Sequence, residues 1–201
     1  MDRRAFLVAL PAIAVALGPR LHAAPFQDVE FIRAWERAQR LRPRSLTSRT
    51  RIAPPSEPGT PLIVTGRLYD RDGRSPAPGI TVFAYQTDAQ GHYDVPANGP
   101  HSWRLKGWAL TDADGGFEFT SIRPAPYPRR TEPAHIHLYI EGPRLQRRSA
   151  GILFDDDPLV TREERATSTN AGDFGSVLAV RTHEGVQRVS YKLRITDEGV
   201  F

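Results

Sequence analysis

From Gly59 onward the chain is divided into short segments of alternating apolar and polar residues, each bounded by a cluster of Gly, Asp and Pro. Successive side chains of a strand point to opposite faces, so such segments bury one face and leave the other wet. Strands are expected at 62–69, 80–86, 109–111, 116–122, 135–141, 149–154, 177–181 and 187–195. Asp112-Ala-Asp-Gly115 is expected to close one hairpin and Thr182-His-Glu-Gly185 another. Regularly spaced strands with these turns predict an all-β fold, an antiparallel β-sandwich.

Ahead of the strands the pattern changes. Phe26, Val29, Ile32, Trp35, Ala38 and Leu41 recur at helical spacing, with Asp28 and Glu30 early and arginines late, an order that suits the helix dipole. An N-terminal helix is therefore expected over 26–41, packed on the domain or on a second subunit. Residues 43–59, rich in Arg, Ser and Pro, have no periodicity and are expected to form a linker. The first 24 residues have the layout of a secretory signal: charge at Asp2, Arg3 and Arg4, an apolar run from Val8 to Leu17, and Leu21-His22-Ala23 as the peptidase-read stretch, with cleavage expected after Ala23 or Ala24. The run is too short to span a bilayer as a mature helix. Paired arginines before Phe6 and Leu7 resemble a twin-arginine signal, so export to the periplasm or beyond is expected. The expected organisation is thus a signal at 1–24, helix and linker at 25–59, and a sandwich domain at 60–201.

Loss of the signal takes two units from the formal charge of +4. Arginine is spread along the chain, Lys106 and Lys192 are its only lysines, and no aromatic-plus-basic RNA motif accompanies them, so nucleic acid is not an expected partner. There is no cysteine, which excludes iron–sulfur, zinc-thiolate and blue-copper sites of the usual composition.

The chemistry concentrates in Tyr127-Pro-Arg-Arg-Thr-Glu-Pro-Ala-His135-Ile-His137. In a strand His135 and His137 share a face, and Tyr127, fixed between Pro126 and Pro128, lies close enough in sequence to join them. Phenolate oxygen with imidazole nitrogen suits an oxidised first-row metal. The same residues also suit a bland arrangement, two polar side chains on a solvated strand face and a tyrosine in a turn. His92, His101 and His183 fit solvated or turn positions better than ligand positions, and Trp103 and Trp108 fit a core or a pocket wall. Asp155, Asp156 and Asp157 fit a strand end before Pro158, since further oxygen ligands for calcium are not evident.

Four segments in order are similar to the intradiol ring-cleavage dioxygenases, the protocatechuate and catechol dioxygenase family. They are Tyr85-Gln-Thr-Asp-Ala-Gln-Gly-His-Tyr93, Thr111-Asp-Ala-Asp-Gly-Gly-Phe-Glu-Phe119, the stretch Arg123 to His137, and Phe154-Asp-Asp-Asp-Pro158. The resemblance implies the sandwich fold and ferric, non-haem iron (Fe3+) held by Tyr93, Tyr127, His135 and His137. It further implies an aromatic diol and O2 as partners, with the ring opened between the hydroxyls to a muconate-type diacid. Tyr127 would be the phenolate that leaves the metal and acts as a base. The chain departs from the family at Glu132, where an arginine is frequent, and at Gly151, which aligns with a pocket glutamine; Arg130 is the expected substitute for the arginine. Homo-oligomers are compatible with the resemblance. A binding module with a structural or vestigial metal is the competing expectation.

Overall fold

The computed structural model of the chain describes residues 29–94, 103–142 and 145–196. The expected signal at 1–24, the start of the expected helix and His101 lie outside them. Helix α1, Val29–Arg40, is followed by strand β1, Arg49–Arg51. Then come β2, Pro61–Tyr69, β3, Thr81–Gln86, β4, Leu105–Leu110, β5, Gly116–Ile122, β6, His135–Gly142, and β7, Leu145–Phe154. Helix α2, Arg162–Asn170, leads to β8, Val177–Leu178, β9, Arg181–His183, and β10, Val186–Arg194. Two five-stranded sheets face each other, one ordered β1-β5-β2-β10-β9 and the other β4-β3-β6-β7-β8.

The sandwich is as expected, and three of its pairings are parallel: β1 with β5, β2 with β10, and β7 with β8. The segment read as a linker contributes β1, because Arg49, Thr50 and Arg51 take up the free edge of β5. Asp112 to Gly115 is a corner instead of a hairpin. β4 pairs with β3 in one sheet and β5 with β2 in the other. Asp112 holds that corner by accepting from the Asp114 and Gly116 amides. The stretch 177–181 likewise divides, β8 joining one sheet and β9 the other. The β9–β10 hairpin turns on Glu184 and Gly185, both left-handed, as a two-residue turn matched to strand twist requires.

Alternation decides what each face buries. Leu62, Val64, Leu68, Phe117, Phe119 and Leu193 from one sheet meet Val82, Ala84, Ile136, Leu138, Ile140 and Ile152 from the other. A fully buried aromatic or aliphatic side chain of this kind is worth about 1.5–3 kcal/mol. β3 is buried along its whole length, since its second face is also covered. There Phe83, Tyr85, Trp103, Trp108 and Tyr139 form an aromatic layer under Ala34, Trp35 and Ala38 of α1. The spacing of Phe31, Ala34, Trp35 and Ala38 is the one-sided stripe expected of a surface helix.

Tyr191 is buried in the main core, and burial holds its phenol above the ordinary value near 10. Below that value both folded and unfolded chains keep the proton. Above it the unfolded chain releases the proton first, so stability falls as pH rises, by up to ~1.4 kcal/mol per pH unit. Urea midpoints at about pH 8 and about pH 11 should therefore diverge, and Tyr191→Phe should narrow the gap. An equal gap in the variant would contradict this account.

Candidate metal centre

β6 alternates Ile136, Leu138 and Ile140 into the core with His135, His137 and Tyr139 on the opposite face. The two histidines thus lie on the aromatic-covered side of their sheet. Tyr127 comes from the segment after β5, and Tyr93 from the loop after β3. Their polar atoms converge. Tyr127 Oη is 3.0 Å from His135 Nε2 and 3.4 Å from His137 Nε2. The two Nε2 atoms are 2.9 Å apart, and His137 Nε2 is 2.9 Å from Tyr93 Oη. The phenol oxygens of Tyr93 and Tyr127 touch each other directly.

Local bonds aim these groups. His135 Nδ1 donates to the Pro133 carbonyl at 2.7 Å, which leaves the Nε2 lone pair facing the cluster. The buried carboxylate of Asp157 accepts from the Ala134 amide at 2.7 Å and from the Leu159 amide at 2.9 Å, fixing the chain where β6 begins. The His137 ring stacks on Tyr85 at 4.6 Å, and Tyr85 stacks on Trp103 at 4.1 Å. Trp103 has a left-handed backbone, φ 47°, a conformation that a bulky residue adopts only when its surroundings hold it there. Its carbonyl accepts from Lys106 Nζ at 3.0 Å.

Burial pushes the Tyr93 phenol well above its ordinary range, and the Tyr127 phenol is raised for the same reason. Two phenols pressed together in a buried site resist ionisation unless a cation lies between them. Two oxygen donors and two neutral imidazole nitrogens aimed at one point fit a hard, oxidised first-row metal ion. The donor set present therefore fits the ferric ion that the resemblance implies.

All four sequence-identified donors are brought together. Arg130 lies at the margin: its side chain is 66% exposed, 3.6 Å from Glu132, with its guanidinium 5.9 Å from the Tyr127 ring centroid. Gly151 is the cross-strand neighbour of His137, and a Cβ there would meet only the Ile136 carbonyl, at 3.9 Å. His183 is exposed in the β9–β10 hairpin. His92 donates its amide to Asp88. Sequence reasoning missed Asp157 as a brace, although it lies in the Phe154–Pro158 motif. It also missed the stacking role of Tyr85, which the even spacing within β3 could have placed on the face of Phe83.

A β-sandwich with a phenol–imidazole cluster at the start of one central strand defines a class of protein built around oxygen and nitrogen donors without thiolates. A family model described as "Dioxygenase" matches residues 42–196. The 6-chlorohydroxyquinol 1,2-dioxygenase of Cupriavidus pinatubonensis is 36% identical over 101 residues, 42% of this chain and 36% of that protein. Catechol 1,2-dioxygenase 1 of Acinetobacter lwoffii is 23% identical over 168 residues, 71% of this chain and 53% of that protein. Among solved structures, the dioxygenase domain of a dioxygenase carbohydrate-binding protein fusion from Streptomyces sp. SirexAA-E superposes with a TM-score of 0.58 at 24% identity. That superposition covers 76% of this chain and 90% of that one. The chain spans about a third to a half of the length of these two curated relatives. It belongs to the intradiol ring-cleavage dioxygenase family.

Proposed function

We propose that this protein opens the ring of a catechol-type diol between its two hydroxyl-bearing carbons, placing both atoms of O2 in a muconate-type diacid. Tyr93, Tyr127, His135 and His137 would hold ferric iron. The observation that carries this reading is the convergence of the four donor atoms. When bound there, iron supplies Lewis-acid activation of the diol and a template that brings it together with dioxygen.

The chain's own groups have separable tasks. His135 and His137 are held in place, the first by the Pro133 carbonyl and the second by the Tyr85 ring. Tyr127 is the less buried phenol, on a proline-bounded loop, and is the better placed to swing away and take a proton from the incoming diol at its Oη. Tyr93, more deeply enclosed beside Tyr85, stays as the constant oxygen donor. Arg130, near the Tyr127 ring, favours negative charge there, and Glu132 opposes it. The unfilled space at Gly151 leaves room beside His137 for ring substituents.

Purified protein should contain stoichiometric iron and be burgundy from tyrosinate-to-iron charge transfer. The band should shift with catechol under nitrogen, and oxygen uptake should match diol consumed across catechol, protocatechuate and hydroxyquinol. Colourless protein with stoichiometric zinc would refute the reading. Iron-loaded protein inert towards every diol would favour a binding module instead.

A further inference from the structure

Asp88 is a buried carboxylate at the end of β3 that the proposed chemistry does not use. Its Oδ1 accepts from the Gln90 and His92 amides, each at 2.9 Å. Its own amide donates to the His92 carbonyl at 2.8 Å, and its carbonyl accepts from the Gly91 amide at 3.2 Å. These bonds curl 88–92 into a closed turn that delivers Tyr93. The same Asp88 carbonyl also accepts from the Ala125 amide at 2.9 Å, two residues before Tyr127. Thr87 adds a parallel tie, its hydroxyl donating to the Ala125 carbonyl at 2.7 Å. On the other side, Arg104 reaches Asp88 Oδ2 at 3.5 Å, and its backbone amide donates to the Tyr93 carbonyl at 3.0 Å. Glu57 holds the Arg104 guanidinium with both carboxylate oxygens.

The Asp88 side chain thus bonds to the turn before Tyr93 and to Arg104, and it fixes the main-chain carbonyl that ties this turn to the loop of Tyr127. We propose that Asp88 is the positioning residue that sets the approach of Tyr93 to Tyr127, and so the geometry of the oxygen half of the site. This rests on the metal-centre reading for its consequence in catalysis, but its structural content does not depend on iron. A buried carboxylate accepting two amides is costly to remove, because the turn loses two of the bonds that shape it. With the side chain gone, the 88–92 turn keeps only its two backbone–backbone bonds, and the Asp88 carbonyl that receives the Ala125 amide is no longer held in place. The two phenols then lose their common reference, while the histidines, braced by Asp157 on a different segment, keep theirs.

The test compares Asp88→Ala and Asp88→Asn with the unaltered full-length protein. In metal-free protein, hydrogen exchange should accelerate in peptides covering 88–93 and 124–128 together in Asp88→Ala, with the β6 peptide unchanged. Asp88→Asn, whose amide oxygen can still accept both backbone bonds, should restore most of that protection. In iron-loaded protein, Asp88→Ala should shift the charge-transfer band per bound iron and weaken iron retention by roughly 10–100-fold, the usual effect of losing an outer partner. A purely structural role would lower the melting temperature and leave the band per iron unchanged, and that result would overturn the proposal. So would exchange that accelerates in 88–93 alone. If the unaltered protein binds no iron, the catalytic reading fails, yet coupled exchange of the two peptides still decides the claim about Asp88.

Discussion

Tyr127→Phe is expected to remove ring cleavage and most of the visible colour while leaving the protein folded. The Tyr127 side chain projects from a loop and contributes little to the main core, so the loss of one hydroxyl should scarcely move the melting temperature. Its oxygen, however, lies within 3.0 Å of His135 Nε2 and 3.4 Å of His137 Nε2, and it touches the oxygen of Tyr93. Deleting it takes one anionic donor and the proposed proton acceptor together. The drop in kcat/KM should exceed the ~10–100-fold that follows loss of an outer partner. Tyr93→Phe should also cost activity, but chiefly through iron loss, because Tyr93 is assigned only the holding task. Iron content per chain and stopped-flow cleavage of catechol separate the two. Should both variants keep substantial cleavage of catechol, the tyrosines are not ligands, and the proposed donor set fails.

Gly91→Ala should be the most damaging single methyl group added near the site. Gly91 has φ 85° and lies where a Cβ would come within 2.1 Å of the Pro126 carbonyl oxygen and 3.0 Å of Pro128 Cδ. Those atoms belong to the loop that carries Tyr127, and Gly91 is two residues before Tyr93. The two tyrosine loops can therefore touch only because this position has no side chain. A left-handed alanine costs about 1–2 kcal/mol, and the clash adds about 1–3 kcal/mol of overpacking. The melting temperature should fall by on the order of 5–15 °C, and iron retention should fall with it as the phenols separate. Gly79→Ala is the matched control, since Gly79 has φ 71° and a Cβ there meets nothing within 4 Å. It should show the conformational cost alone. Equal losses in the two variants would mean that close loop contact at Gly91 is unimportant.

Much of this architecture is legible in the sequence. The strand segments follow from period-two alternation, and the pairing of His135 with His137 from the same rule. Tyr93, a long way upstream, could be joined to them only by the resemblance, because no local rule brings the end of β3 beside β6. The errors lie where local pattern is silent about partners. An Asp-x-Asp-Gly turn looks the same whether its strands pair with each other or part into different sheets; the apolar content on both sides of Asp112 to Gly115 favours the second only once the sandwich is known. β1 carries the sequence Arg-Thr-Arg, which has no apolar signal, and it is a strand because β5 offers it an edge. Helix α2 has a local signal of its own: Thr161 and Glu164 form a capping box, a recognised helix start. Asp88 and Asp157 are invisible as braces for a physical reason. A carboxylate that binds distant amides has the same local signature as one that faces water.

The parallel pairing of β2 with β10 has a consequence for how the protein comes to exist. Leu62 lies beside Gln187, so a strand made early must wait for one made late. Contacts so remote in sequence slow folding, because the intervening chain must be gathered before any bond rewards it. Until β10 arrives, the β2 edge carries unpaired amides and carbonyls, a template for any other extended chain. Refolding from denaturant should accordingly be slow and sensitive to protein concentration. In the cell, the interval between synthesis of these two strands is when a chaperone would matter most.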